Sequence, residues 1–568
     1  MDGTDARTTR ETCDVLVIGS GAGGMATAIT AARGGLRVVI VEKAPVFGGT
    51  TAYSGGVLWI PGTAHASGAD DAARARTYLQ HETGNWFDAD AVDTFLEAGP
   101  GMVEFFERET DVAFLPTLYP DYHPDAPGGA QVGRSLLAAP YDSSALGADL
   151  RRLRRPLETI TFMGMMFNSS NADIKHFFNA TRSARSFAYV TKRLAAHAAE
   201  MLRHGRGTTV TSGNALAARL ARSCLDLGIP IHTDSPARTL LLEEGRIVGA
   251  RVDRDGACVE IRAGRGVVLA SGGFAQAVAR RAEAYGHLRS GGEHVSPVPE
   301  GNTGDGIDMA TAVGAGFGYR YASTSAWMPV SKVPGKDGAA RPFPHLLDRY
   351  KPGVIAVLRD GRRFTNESDS YHDVGAAMIA ACAGKDETAC WLIADHPTVR
   401  RYGLGFAKPA PVPLWPHLRS GYILRGRTLG ALAERAGLDG AALVETVARY
   451  NEHAEHGEDP EFGRGSTAFN RFLGDPDHLP NPNVAPIRTG PFYALKLVMG
   501  DLGTFDGLVT TPVGEVLTDG GTPIPGLYAV GNDRASIMGG GYPGAGITLG
   551  PAMTFGYVTG RHLAGTAS

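Results

Sequence analysis

The chain has 568 residues, 43% of them hydrophobic, which is enough for two or more domains with substantial cores. Its net charge of −4 at pH 7, without an arginine-rich tail, gives nucleic acid no electrostatic footprint. Five scattered cysteines (Cys13, Cys224, Cys258, Cys382, Cys390) with no CxxC fit a reducing compartment and argue against disulfides or a zinc site. The opening residues "MDGTDARTTRETC" lack the apolar core of a signal peptide, and no apolar run approaches the roughly 18 residues of a membrane span. A soluble, cytoplasmic protein is expected, with contact at a membrane surface left open.

The first element is "CDVLVI", Cys13 to Ile18, a short apolar run that reads as a buried parallel strand. It leads into Gly19-Ser-Gly21-Ala-Gly23-Gly24 and then into "MATAITAARGG", whose small residues suit a helix packed closely on a sheet. This is GxGxxG between a strand and a helix. The first glycine permits the turn, the second lets a pyrophosphate approach the backbone, and the third lets helix and strand touch. The phosphates then face the free N–H groups at the helix start. The next strand, "RVVIVEK", ends in Glu42, placed to accept hydrogen bonds from an adenosine ribose, and Lys43. The spacing therefore predicts a dinucleotide site.

A Gly/Ser/Thr-rich loop follows, "KAPVFGGTTAYSGGVLWIPG", long enough to wrap an extended cofactor. Further on, "LRRLRRP" (Leu150 to Pro156) reads as a solvated helix face, and "MGMMFNSSNADIKHFFN" (Met163 to Asn179) reads first as core packing and second as a flexible wall for an apolar ligand. "GRGVVLASGGFA" (Gly264 to Ala275) and "GLYAVGND" (Gly526 to Asp533) supply two more strands ending in glycine turns. Between them "GNTGDGIDMATAVGA" brings Asp305 and a helix.

In this order the segments resemble those of flavoproteins of the succinate dehydrogenase and fumarate reductase class, over nearly the whole chain. The resemblance implies FAD and a Rossmann-like α/β FAD domain assembled from both ends of the chain, with an inserted α+β capping domain. We expect residues 12–324 and 489–568 to form the FAD domain and 325–488 the insertion. The implied cofactor contacts are Gly19, Gly21, Gly23, Gly24, Glu42 and Lys43, then Gly49, Thr50, Thr51, Ser54, Gly55 and Gly56 in the loop. Ser271, Gly272, Gly273, Asp305, Gly531 and Asn532 follow, and Gly546, Ile547 and Leu549 complete the set. Members with covalent flavin carry a histidine in the loop after the second strand. Thr50 to Ser54 contains none, so non-covalent FAD is expected.

The stretch "MGGGYPGAGITLGPAMTFGY", Met538 to Tyr557, narrows the class. Fumarate reductases present an arginine to a carboxylate here, whereas this chain offers Tyr542, so a neutral ligand is expected. Tyr-Pro-x-x-Gly followed by "TLGPAMTFG" resembles the flavin-dependent 3-ketosteroid dehydrogenases of the Δ1 type. That resemblance implies that the Tyr542 hydroxyl and the Gly546 N–H donate to a ketone oxygen, stabilising the enolate that forms when an adjacent proton leaves. The helix from near Leu549, with Pro551 in its first turn, implies a positive end directed at the flavin pyrimidine edge.

The base implied by the same resemblance is Tyr371 in "RDGRRFTNESDSYHD", and its helper is Tyr122 in "LYPDYHPDAPGG", with Tyr119 lining the pocket. A free phenol titrates near ~10, so serving as a base at neutrality requires about 4 kcal/mol of assistance. A hydrogen bond from Tyr122 is expected to contribute to that. His123 and His372 are read as structural. The implied reaction removes the proton alpha to the carbonyl and passes a hydride from the beta carbon to flavin N5. A small apolar ketone, a steroid first, is the expected substrate, and an external acceptor, a quinone first, reoxidises the flavin. Three alternatives stay open: a Δ4-type dehydrogenase, a fumarate reductase-like ene-reductase drawing on Arg534 or Arg363, and an electron carrier that docks on a partner protein. The pair Asp533-Arg534 departs from the Δ1 pattern.

Overall fold

The computed structural model describes residues 9–65, 72–166, 176–177, 179–180, 183–289 and 291–566. The strand Thr9–Ile18 is fully buried over its last four residues, which explains its unbroken apolar run. It lies at the centre of an eight-stranded sheet in the order Glu515–Leu517, Pro523–Ala529, Ala257–Leu269, Thr9–Ile18, Val38–Val41 and Ile231–His232. The four central pairings are parallel. A hairpin of Ala237–Glu243 and Arg246–Arg254 extends the sheet antiparallel from Ala257–Leu269.

The helix Ala22–Arg33 packs on this sheet and against the last helix, Leu549–Ala564. The two backbones meet closely because their facing positions are small. A Cβ on Gly556 would lie 2.7 Å from Gly23 O, and one on Gly560 would lie 2.6 Å from Thr30 Cβ. Sequence-distant ends of the chain are thus joined by a stripe of small residues. This is the Rossmann-like α/β lobe expected from the sequence.

A second, six-stranded antiparallel sheet carries Ala340–Pro344, Ser325–Pro334, Phe492–Thr504, Ala389–Asp395 and Val354–Val357 in that order, with Leu424–Gly426 also on Phe492–Thr504. The strand Phe492–Thr504 pairs along both its edges in this sheet. We propose on that pairing that the insertion runs to about Thr504 rather than to 488. The run "FYALKLVMGDLGT" carries no cue to which sheet it joins.

Against the strand Val354–Val357 of this sheet lies a buried ion network. Arg363 grips Glu367 through Nε (2.8 Å) and Nη2 (2.7 Å) and Asp459 through Nη1 and Nη2 (2.8 Å each), and Arg464 reaches Glu367 at 3.1 Å. Burial opposes ionisation of Glu367, but the neighbouring guanidinium groups outweigh it and hold the carboxyl down to about 2. This contribution to stability is present above the ordinary carboxylate value and is lost as pH falls toward about 2. Glu367→Ala leaves two buried guanidinium groups short of a partner and is expected to cost about 3–5 kcal/mol, read as a fall in the melting temperature of the holoprotein.

Candidate active site

The cleft starts at the GxGxxG turn. Gly19 has φ +114°, and a Cβ there would sit 2.2 Å from Ala270 O, so no other residue fits. Gly21 caps the helix without a side-chain hydrogen bond; the Ala22 N–H donates to Thr51 Oγ1 at 3.0 Å and that of Met25 to Gly21 O at 3.0 Å, while those of Gly23 and Gly24 have no partner among the described residues. The first turn therefore keeps N–H groups for an anionic ligand. Glu42 accepts from Ser20 Oγ (2.6 Å) and from Ala44 N (2.9 Å), tying the turn to the end of the second strand. Lys43 pairs with Asp305 at 2.7 Å and donates to Thr303 Oγ1 at 2.6 Å. Gly19→Ala is expected to give a colourless protein that takes up no FAD, read from absorbance after reconstitution.

From this turn a cavity of about 790 Å3 runs past the loop residues Gly49 to Gly56 and past Ser271, Gly272, Gly531 and Asn532, reaching Gly546 and Leu549. Gly273 and Ile547 lie off its wall. The Gly273 N–H donates to Asp533 Oδ1 at 2.9 Å, and Ile547 faces a smaller cavity behind the cleft. Two residues that the sequence reading did not assign to the site hold it together. Asn302 donates to Thr50 Oγ1 (2.8 Å) and Gly272 O (3.1 Å), and Asp533 accepts from Ser271 Oγ and Gly273 N, locking the two glycine turns to each other. Asp533 stood out in the sequence only as a departure from the Δ1 pattern.

The same cavity ends at three tyrosines. Tyr371 is the first residue of the helix Tyr371–Ala381, whose N-cap Ser370 accepts from Asp373 N at 3.1 Å. Tyr122 sits on a loop fixed by Asp121, which accepts from Trp59 Nε1 (2.8 Å), Ala130 N (2.9 Å) and Arg134 Nη1 (2.7 Å). Pro543 O, beside Tyr542, accepts from Tyr122 N (2.9 Å) and Tyr78 Oη (2.6 Å), which ties the loop to the glycine-rich segment. Tyr122 donates to Tyr371 Oη at 3.3 Å. The ring of Tyr542 lies 5.0 Å from Tyr371 and 5.5 Å from Tyr122 between centroids.

Gly546 has φ +98°, with Val57 O 2.5 Å from where a Cβ would stand. Its carbonyl accepts from Trp59 N at 3.1 Å, while its own N–H has no hydrogen-bond partner among the described residues. All four residues that the sequence singled out for chemistry thus line one cavity.

The electrostatics differ from the sequence expectation in one respect. Burial, followed by the neighbouring phenols of Tyr122 and Tyr542, holds Tyr371 well above the ordinary tyrosine value. Burial also pushes Tyr542 up to about 12, against the opposing pull of the Tyr371 and Thr548 hydroxyls. The Tyr122 hydroxyl at 3.3 Å adds to the rise at Tyr371 rather than offsetting it. His372 accepts from Trp327 N at 3.1 Å and is pushed down to about 4 by burial, so it is neutral. His123 lies between Glu82 (2.7 Å) and Asp373 (3.1 Å). Burial would depress it, but the two carboxylates carry it up to about 10, so it is a cation joining the helix Ala72–Thr83 to the start of the helix Tyr371–Ala381.

Of the basic run at Leu150 to Pro156, Arg154 lines the cavity with its guanidinium 5.7 Å from the Tyr53 ring, while Arg152 pairs with Asp149 at 2.7 Å. That run is therefore only partly the solvated face expected. Phe162, Met166 and Phe177 also line the cavity, and residues 167–175 and 178 of the Met/Phe-rich stretch lie outside the described residues.

A glycine turn on a parallel strand, an uncapped helix start and a long cleft across two lobes define a dinucleotide-binding flavoprotein, and the residues present fit FAD. The FAD binding domain family model matches residues 14–549, and the chain belongs to that family. It is 44% identical over 560 residues to 4-oxocyclohex-2-ene-1-carboxylate 5-dehydrogenase of Sinomonas cyclohexanicum, covering 98% of this chain and 94% of that one. It is 36% identical to the 3-oxosteroid 1-dehydrogenase of Mycolicibacterium smegmatis, covering 98% of each. Among solved structures, the 3-ketosteroid Δ1-dehydrogenase of Sterolibacterium denitrificans in complex with 1,4-androstadiene-3,17-dione matches with a TM-score of 0.89 and 34% identity, over 98% of this chain and 100% of that one. The chain is an FAD-dependent oxidoreductase. No helix among the described residues is long and apolar enough to cross a membrane.

Proposed function

We propose that this enzyme introduces a C=C bond into the ring of a cyclic ketone, next to the carbonyl. The observation that carries the reading is the convergence of Tyr122, Tyr371, Tyr542 and the unpartnered Gly546 N–H in the cavity that also contains the dinucleotide turn. When bound, without a covalent link by our reading, FAD takes up the two electrons and the hydrogen of the C–H bond being broken, chemistry no side chain supplies. The chain's own residues do the rest. The Tyr542 hydroxyl and the Gly546 N–H donate to the ketone oxygen and favour the negative charge that develops there. The Tyr371 oxygen receives the alpha proton, and the Tyr122 hydroxyl, by donating to that oxygen, favours its phenolate form. The three rings are between 4% and 8% exposed, which keeps bulk water from the proton being moved. An external acceptor, a quinone by our reading, removes the electrons.

The ring system is read in two ways, each on its own observation. An apolar wall that includes Ile160, Phe162, Val190, Leu194, Phe343 and Leu346 suits a steroid, as does the similarity to steroid dehydrogenases. The higher identity to an enzyme named for an oxocyclohexene carboxylate favours a small ring with an acid group. Lys408 supports this second reading. It lines the cavity with Nζ 5.6 Å from the Phe343 ring and 5.4 Å from the Phe406 ring, and no carboxylate pairs with it among the described residues. The ene-reductase alternative loses its arginines: Arg363 is locked between Glu367 and Asp459, and Arg534 does not line the cavity.

Anaerobic mixing of the yellow holoenzyme with a 3-keto-4-ene steroid and with 4-oxocyclohex-2-ene-1-carboxylate tests the reading. Bleaching of the flavin by either is expected, and the faster one gives the substrate class. Bleaching by neither, with recovery of colour when an enone or fumarate is added to chemically reduced enzyme, would reverse the proposed direction and remove it.

A further inference from the structure

Arg534 is 6% exposed, and its guanidinium lies 3.5 Å from the Phe555 ring centroid. Nη1 has no hydrogen-bond partner, and no carboxylate forms an ion pair with the side chain among the described residues. The largest opposing influence is the field of Asp88, and burial lowers the group only to about 10, so it remains a cation at neutral pH. A buried cation left unpaired is costly, and one kept for structure is normally paired. Its position points to a different role.

The guanidinium borders a cavity of about 30 Å3, no larger than a water molecule, in which Thr504 Oγ1 is also unpartnered. Asn532, Thr548 and Ala552 form part of this small cavity and also part of the wall of the FAD cleft. Thr548 precedes the 16-residue helix Leu549–Ala564 as its N-cap and makes no side-chain cap, so the positive end of that helix opens on the same wall. Two independent positive features, an orphaned guanidinium and an uncapped helix start, therefore meet behind one face of the cofactor cleft.

We propose that Arg534 is a fixed countercharge for the negative charge that FAD gains on reduction. Taking two electrons and one proton, the flavin passes from neutral to a charge of minus one; the second proton of the substrate goes to the protein, so the step balances without a further reactant. A cation held behind the cleft wall favours the charged product over the neutral oxidised form. It thereby raises the reduction potential and keeps the reduced flavin deprotonated. Asp533, the residue before it, is spent on the two glycine turns and does not neutralise it. This inference rests on the FAD site and is independent of the substrate.

The test measures the flavin potential of holoenzyme by equilibration with a reference dye, and the pH dependence of the reduced-flavin spectrum. The samples are wild type, Arg534→Lys and Arg534→Met, the last filling the same space beside Phe555 without charge. For Arg534→Met we expect the ratio of reduced to oxidised flavin at a fixed dye poise to fall by about tenfold or more, and the reduced flavin to protonate at higher pH. Arg534→Lys is expected to stay close to wild type in both. A methionine variant indistinguishable from wild type overturns the proposal, as does a lysine variant displaced as far as the methionine one, since packing on Phe555 would then be the cause. If the methionine variant does not take up FAD, wild type and Arg534→Lys decide: a wild-type reduced flavin that is protonated at neutral pH overturns the proposal.

Discussion

Tyr371→Phe is expected to abolish turnover while leaving the protein yellow and folded. The substitution removes one oxygen from a ring whose packing is otherwise kept, since Tyr371 meets Tyr122 and Tyr542 edge-on at 5.8 and 5.0 Å. What is lost is the acceptor for the alpha proton, and deleting a positioned general base costs typically about 10²–10⁴ in rate. Because burial and the neighbouring phenols hold Tyr371 above its ordinary value, its base form grows with pH throughout the neutral range. The wild-type rate of flavin bleaching should therefore rise with pH, and the residual rate of the phenylalanine variant should not. Stopped-flow reduction across a pH series checks both expectations. A variant that bleaches at the wild-type rate would remove Tyr371 from its assigned role.

Tyr542→Phe should leave about one part in 10²–10³ of the rate, the usual loss when one of two donors to a developing oxyanion is deleted. The second donor survives, because it is a main-chain N–H held in place by the backbone of Gly546. Substrate binding should weaken as well, since the hydroxyl also meets the ketone before reaction. An unchanged rate with an unchanged dissociation constant for a ketone product would place the carbonyl elsewhere in the cavity. The two variants differ in a measurable way: loss of Tyr371 should flatten the pH profile, whereas loss of Tyr542 should lower the rate and keep the profile's shape.

Tyr122 and Tyr371 lie 249 residues apart in the chain, and the His123 cation between Glu82 and Asp373 ties the same two segments together. The sequence reading set His123 aside as structural, and its partners fit that. Its position beside Tyr122 nonetheless makes it part of the scaffold on which the 3.3 Å contact depends.

The amino-acid sequence by itself determined the dinucleotide turn and the α/β lobe assembled from both chain ends, and its resemblance to a known family pointed to four candidate residues that prove to line one cavity. The turn and the lobe depend on local rules: glycine where φ is positive, small residues where helices touch, a strand before the turn and a helix after it. Only the tertiary structure decided the rest. It assigned Phe492–Thr504 to the second sheet, set Asp533 and Asn302 as ties between glycine turns, turned Arg363 into a buried clamp and left Arg534 Nη1 without a hydrogen bond among the described residues. It also placed Tyr371 where burial and neighbouring phenols make it harder to ionise than a free phenol. The physical reason is common to all of these: pairing, burial and desolvation are properties of neighbours brought together from hundreds of residues apart, and residue type and spacing along the chain do not encode which neighbours those are.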